Sequence, residues 1–150
     1  MKLTKLPSHR AIRALLASML IAIPGLMATA LAADADRLSI QLNKLEPEAD
    51  TCRAYIVLEN GGGITFEALR LDLVLFDTNG VIARRLAVDA APLPAGKTSV
   101  RVFGIPNLAC SDIGRVLLND VLACQDTSGE RTDCMQHITP QSIAGVPFIK

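Results

Sequence analysis

Three residues near the end of the chain, Cys134, Met135 and His137, offer a thiolate, a thioether and an imidazole within a short stretch. That is a soft donor set suited to copper. The set holds only while Cys134 stays reduced. His137 is also the one imidazole outside the first residues, since the other histidine is His9. Any Ser-His-Asp or Cys-His catalysis would therefore have to use it. No C-x-x-C or H-x-x-x-H spacing points to zinc, and the cysteines Cys52, Cys110, Cys124 and Cys134 lack the close pairing of a redox dithiol. Asp126, Glu130 and Asp133 could approach one another in one turn, and Asp77 and Asn79 share another. Neither group has the ligand count of a calcium site. Gly61, Gly62 and Gly63 lack the Lys-Ser or Lys-Thr of a phosphate loop, and they read as a flexible turn. Arg84 and Arg85 form a basic doublet on a strand, a pattern typical of edge charges that discourage pairing with other chains. No cofactor follows from these residues, and a catalytic set is not among them.

The compartment decides how the cysteines are read. Lys2, Lys5, Arg10 and Arg13 precede an apolar run from Ala14 to Leu26 and then Ala30-Leu31-Ala32, the three regions of a secretory signal peptide. Cleavage is expected between Ala32 and Ala33. The run is shorter than the ~20 residues of a membrane span, so no membrane anchor is expected after processing. The predicted organisation is a signal peptide over 1-32 and one domain over 33-150. With the four bases of the signal removed, eleven Lys and Arg face fifteen Asp and Glu. An acidic surface of this kind argues against nucleic acid as a partner. All four cysteines fall in the exported part, and two disulfides are the expectation in an oxidising compartment. Cys124 and Cys134 flank a polar turn and could close a local hairpin, which would leave Cys52 for Cys110; the sequence alone leaves the connectivity open.

The elements that would position these residues are strands. Leu38, Ile40 and Leu42 alternate with polar residues, as do Cys52, Ala54, Ile56 and Leu58 with Arg53, Tyr55, Val57 and Glu59. Leu69, Leu71, Leu73 and Leu75 make one face of a strand over 66-77, the period of a half-buried strand. Asp77-Thr78-Asn79-Gly80 reads as a hairpin turn leading back through 81-89. Pro92 to Gly96 interrupts pairing before a β-branched run over 98-103. Residues 113-123 fit strand alternation through Val116, Leu118 and Leu122, while Ile113, Val116, Leu117, Asp120 and Val121 make a partial helical stripe; strand is preferred. Pro140, Gly145 and Pro147 limit any closing strand to a short one around Val146 to Ile149.

About seven short strands with turns at intervals of about 8 to 12 residues, and no long helix, predict an all-β antiparallel immunoglobulin-like β-sandwich. The strand Cys52 to Asn60, the sequence Leu75-Phe76-Asp77, the Asn79-Gly80 turn and Leu93-Pro94-Ala95-Gly96 together resemble the FxLYD type of small bacterial immunoglobulin-like domain over roughly residues 52 to 103. Phe76 stands where that motif has tyrosine, and Phe66 or Leu71 stands for its opening aromatic. The chain is also similar to small exported proteins of proteobacteria. Neither resemblance implies a catalytic motif. The expectation is a non-enzymatic exported module, periplasmic or secreted, that binds another envelope protein through strand edges or loops, with the Arg84-Arg85 strand and the Gly61 to Gly63 loop as the first places to look. The alternatives are a structural envelope protein without a dedicated ligand, distinguishable by self-association, and a copper protein using Cys134, Met135 and His137.

Overall fold

The computed structural model describes residues 37-49 and 51-150; the expected signal peptide and its Ala32-Ala33 junction lie outside the described residues. The described residues form nine strands, β1 (Leu38–Glu48), β2 (Thr51–Asn60), β3 (Phe66–Asp77), β4 (Ile82–Asp89), β5 (Thr98–Pro106), β6 (Ile113–Asp126), β7 (Gly129–Glu130), β8 (Ile138–Ser142) and β9 (Phe148–Ile149). A short turn of helix, Cys110–Asp112, precedes β6, and a single helical turn, α1 (Cys134–His137), precedes β8.

The strands divide into two sheets. One runs β5-β2-β1-β8, and the other runs β4-β3-β6-β7 with β9 added alongside β6. Chain order and spatial order differ because the chain crosses to the second sheet after β2 and returns after β4 to pair β5 with β2. These Greek-key crossovers make the immunoglobulin-like sandwich. The alternating apolar residues meet between the sheets: Leu38, Ile40 and Leu42 from β1, Cys52, Ala54, Ile56 and Leu58 from β2, and Leu69, Leu71, Leu73 and Leu75 from β3 are all buried. Phe66 and Phe148 are the buried rings of this leucine-rich core.

Several features depart from the sequence expectation. The sandwich is not wholly antiparallel, because β8 pairs in parallel with β1 and β9 in parallel with β6. Both join by crossing from one sheet to the other at the end of the chain. β8 forms across Pro140 because it is the outermost strand of its sheet, where a missing N–H costs no ladder bond. Finally, Leu122 does not point inward as Val116 and Leu118 do; it is 50% exposed. The register shifts between Leu118 and Asp120 and again between Val121 and Ala123, and each bulge reverses the alternation. Val121 takes the inner position against Leu71 instead.

Both disulfides form. Cys52 of β2 joins Cys110, with a Cα–Cα separation of 4.9 Å, and Cys124 of β6 joins Cys134 of α1 at 6.5 Å. The β3-β4 hairpin turns as its sequence predicts: the Asp77 side chain accepts the N–H groups of Asn79 and Val81, and Gly80 takes a positive φ of 83°, which its lack of a Cβ permits. The Gly61 to Gly63 segment is not a loose turn. The buried Asn60 carboxamide donates to the carbonyls of Ile64, Leu93 and Pro94 and accepts the Gly62 N–H, so one side chain stitches the two sheet-crossing loops together.

Two substitutions test this packing. A Cβ on Gly114 would lie 2.8 Å from the Asp77 carbonyl carbon and 2.9 Å from the Thr78 Cα, and both are backbone atoms with little freedom to yield. Gly114→Ala is expected to cost about 1-3 kcal/mol by overpacking, and Asn60→Ala about 2-3 kcal/mol through the buried carbonyls it abandons. Chemical denaturation checks both; a loss below about 0.5 kcal/mol at both sites would contradict the packing described.

Candidate functional site: the open edge of β5

The void among Leu42, Leu45, Ile56, Leu75, Phe103 and Phe148 measures about 10 Å³, no more than one water could fill. Strand edges are where backbone groups lie open to another chain.

β5 is an outermost strand, paired on one side with β2 through nine successive residue pairs without a bulge. Its pairing parity follows from the bond that the Asn60 N–H makes to the Lys97 carbonyl. In an antiparallel ladder, hydrogen-bonded and non-hydrogen-bonded pairs alternate. Ser99, Arg101, Phe103 and Ile105 therefore bond to β2, while Thr98, Val100, Val102 and Gly104 turn their N–H and C=O groups to the open side. The two carbonyls on that side which do find partners obey the parity: Arg101 donates to the Val100 carbonyl at 3.2 Å and Arg84 to the Pro106 carbonyl at 3.0 Å. Between them, Val102 and Gly104 meet no hydrogen-bond partner on that side among the described residues.

The same alternation sends the Val100 and Val102 side chains to the outer face, where they are 54% and 51% exposed. Opposite them on β2 lie Val57 and Tyr55. The Tyr55 hydroxyl donates to Glu46 at 2.6 Å, which fixes the ring beside Val102. The other outermost strands are guarded or short. β4 carries Arg84 and Arg85 and a register shift near Ile82, β8 contains Pro140 and spans five residues, and β7 has only two. Charge, proline, bulges and brevity are the devices that protect an edge. Along β5 the one such device before Pro106 is Arg101.

The Arg84-Arg85 doublet does stand on an edge strand, but its two members have separate tasks. Arg85 makes a two-pronged pair with Asp72 of β3, 2.8 Å from each carboxylate oxygen, and the amide of Asn119, carried on the β6 bulge, adds a third bond at 2.6 Å. The Asp72 carboxylate is 2% exposed; the Arg85 guanidinium, with help from Asn119, outweighs burial and holds its carboxyl below the usual range. Arg84 instead reaches across the seam between the sheets to the Pro106 and Asn107 carbonyls. Arg101 reaches the Pro92 carbonyl from the other side of the seam. Both guanidiniums bond to backbone carbonyls, and neither has a carboxylate partner among the described residues.

The residues with the most obvious chemical potential are not assembled for it. The Cys134 sulfur is bonded to Cys124, which removes the thiolate on which the copper reading depended. His137 and Met135 sit on α1, and the His137 Nε2 lies 3.3 Å from Asp133. Asp126 and Asp133 do converge, but on Arg131, which donates to both; Glu130 stays exposed on β7. The turn is an ion-pair corner beside the second disulfide. Arg37, Gln136, His137 and Thr139 line an open concavity of about 260 Å³ nearby. Val100 and Val102 escaped the sequence reading because alternation marks a strand but does not say which neighbours it has.

The ion-pair corner has a pH signature. The Arg131 guanidinium pulls the Asp133 carboxyl from 3.8 down to about 2. Its charged form therefore favours the fold above about pH 4, and the contribution is lost as the pH falls through 4 towards 2. Asp133→Asn is expected to lose less stability than the parent across that window in denaturation midpoints measured at pH 5, 3 and 2 (about). Identical losses would contradict the assignment.

No family model and no curated protein matches the chain. The structure of IrmA from Escherichia coli is similar at a TM-score of 0.49 and 13% sequence identity, over 69% of this chain and 90% of that one.

Proposed function

We propose that this chain is a non-enzymatic exported recognition module, periplasmic or secreted, that binds an envelope protein by accepting an extended segment along the β5 edge. The observation that carries the reading is the regular, unpaired edge at Val102 and Gly104, bordered by exposed Val100 and Val102. Strand addition uses such an edge for affinity through main-chain bonds, and adjacent side chains for selectivity. The disulfides fit an oxidising compartment, and the basic, apolar and small-residue regions of the first 32 residues fit export. The FxLYD resemblance belongs to the same proposal, since it implies a small domain without catalytic residues.

A photo-crosslinking amino acid placed at Val102 in exporting cells is expected to give a discrete adduct with an envelope protein. The adduct should disappear when Val100 is replaced by lysine and should be absent when the probe sits at Gln141 on the β8 edge. In the same cells the exported chain should begin at Ala33 by intact mass. Absence of an adduct from Val102, or equal adducts from Gln141, would contradict the edge assignment. A crosslinked homodimer would favour the structural, self-associating alternative.

A further inference from the structure

The chemistry of the occupant can be read from the two sides of the edge. An added strand alternates its side chains as β5 does. One set would lie on the outer face beside Val100 and Val102, next to Val57 and Tyr55. The other set would point into the seam between β5 and β4, where Arg101 and Arg84 approach from opposite strands. Each guanidinium carries a full positive charge and more N–H groups than its carbonyl partners use. β5 and its preceding Lys97 contain no acidic residue, so no charge on this strand neutralises them.

Resting on the edge-binding reading above, we propose that the β5 edge selects an extended segment in which apolar residues alternate with acidic ones. The apolar residues cover Val100 and Val102, and the carboxylates meet Arg84 and Arg101 in the seam. Val102 and Gly104 supply the main-chain bonds. A second copy of this chain fits poorly, because pairing β5 with itself would bring the Arg84 and Arg101 of both copies into one seam without a counter-charge. Cross-strand pairs of like charge oppose association and those of opposite charge favour it.

The test uses the disulfide-bonded chain and labelled synthetic peptides of about seven residues, long enough to span Val100 to Gly104. One peptide alternates valine with glutamate, a second valine with glutamine, and a third valine with lysine. Binding is followed by fluorescence anisotropy, with amide exchange at Val102 and Gly104 as the readout of strand addition. The glutamate peptide is expected to bind at least about fivefold more tightly than the glutamine peptide, and the lysine peptide more weakly than either. Arg101→Gln should remove most of that preference and leave the glutamine peptide's affinity in place. Arg84→Gln should act in the same direction; because Arg84 also ties β4 to the end of β5, Arg101→Gln is the deciding variant. Equal binding of glutamate and glutamine peptides, or a preference that survives Arg101→Gln, would overturn the acidic selectivity while leaving strand addition in place. Failure of every peptide to protect Val102 and Gly104 would overturn both.

Discussion

Strand β6 is held at both ends by covalent bonds, and much of the architecture follows from that constraint. Cys110, just before β6, is joined to Cys52 in the opposite sheet, and Cys124, near its far end, is joined to Cys134. The first bridge spans 58 positions and the second 10; in the chain-entropy account these contribute about 4 and about 3 kcal/mol. A domain with no tryptophan and four phenylalanines gains proportionately more from such bonds than one with a large aromatic core. The Cys52 bridge also fixes the chain immediately after β5, beside the Ile105 that pairs with Cys52. The edge proposed for recognition is thus held in place before any partner arrives, which lowers the ordering cost of binding.

A two-sheet sandwich must end somewhere, and each of its outermost strands exposes backbone groups that can pair with other chains. Here the solutions differ from strand to strand. Arginines guard β4, Pro140 and shortness guard β8, and β7 and β9 are minimal. On β5 the arginines Arg101 and Arg84 cover the Val100 and Pro106 carbonyls and leave the centre open. The same two side chains that limit indiscriminate pairing give the seam its positive charge. In the proposed reading protection and selectivity are one arrangement: a strand without carboxylates offers no charge to guanidiniums that bond only to carbonyls.

Much of the fold was legible in the sequence because period-two alternation survives in the buried strands. Leu69, Leu71, Leu73 and Leu75 are inward as read, as are Cys52 to Leu58 on alternate positions. The Asp77 to Gly80 turn followed from its residue types. What alternation could not carry was irregularity and neighbourhood. The bulges around Asn119 and Leu122 reverse the face of β6 because of how it pairs with β3, and no local pattern marks them. β8 was missed because Pro140 discourages a strand everywhere except at an edge, and edge position is a property of the assembled sheet. The candidate site was hidden for the same reason. Val100 and Val102 read as ordinary strand residues, and Arg84, without its neighbours, as an edge charge beside Arg85, until the crossover placed β5 outside β2 and opposite β4. The soft-ligand cluster forms no site because Cys134 is bonded to Cys124, as the expectation of two disulfides implied.

Residue-resolved amide hydrogen exchange of the free protein tests most directly whether β5 presents an open edge with a defined parity. Slow exchange is expected at Arg101, Phe103 and Ile105, whose N–H groups bond to β2, alternating with fast exchange at Val102 and Gly104. Uniform protection along β5, with Val102 and Gly104 as slow as their neighbours, would mean that the edge is already covered and not open to a partner.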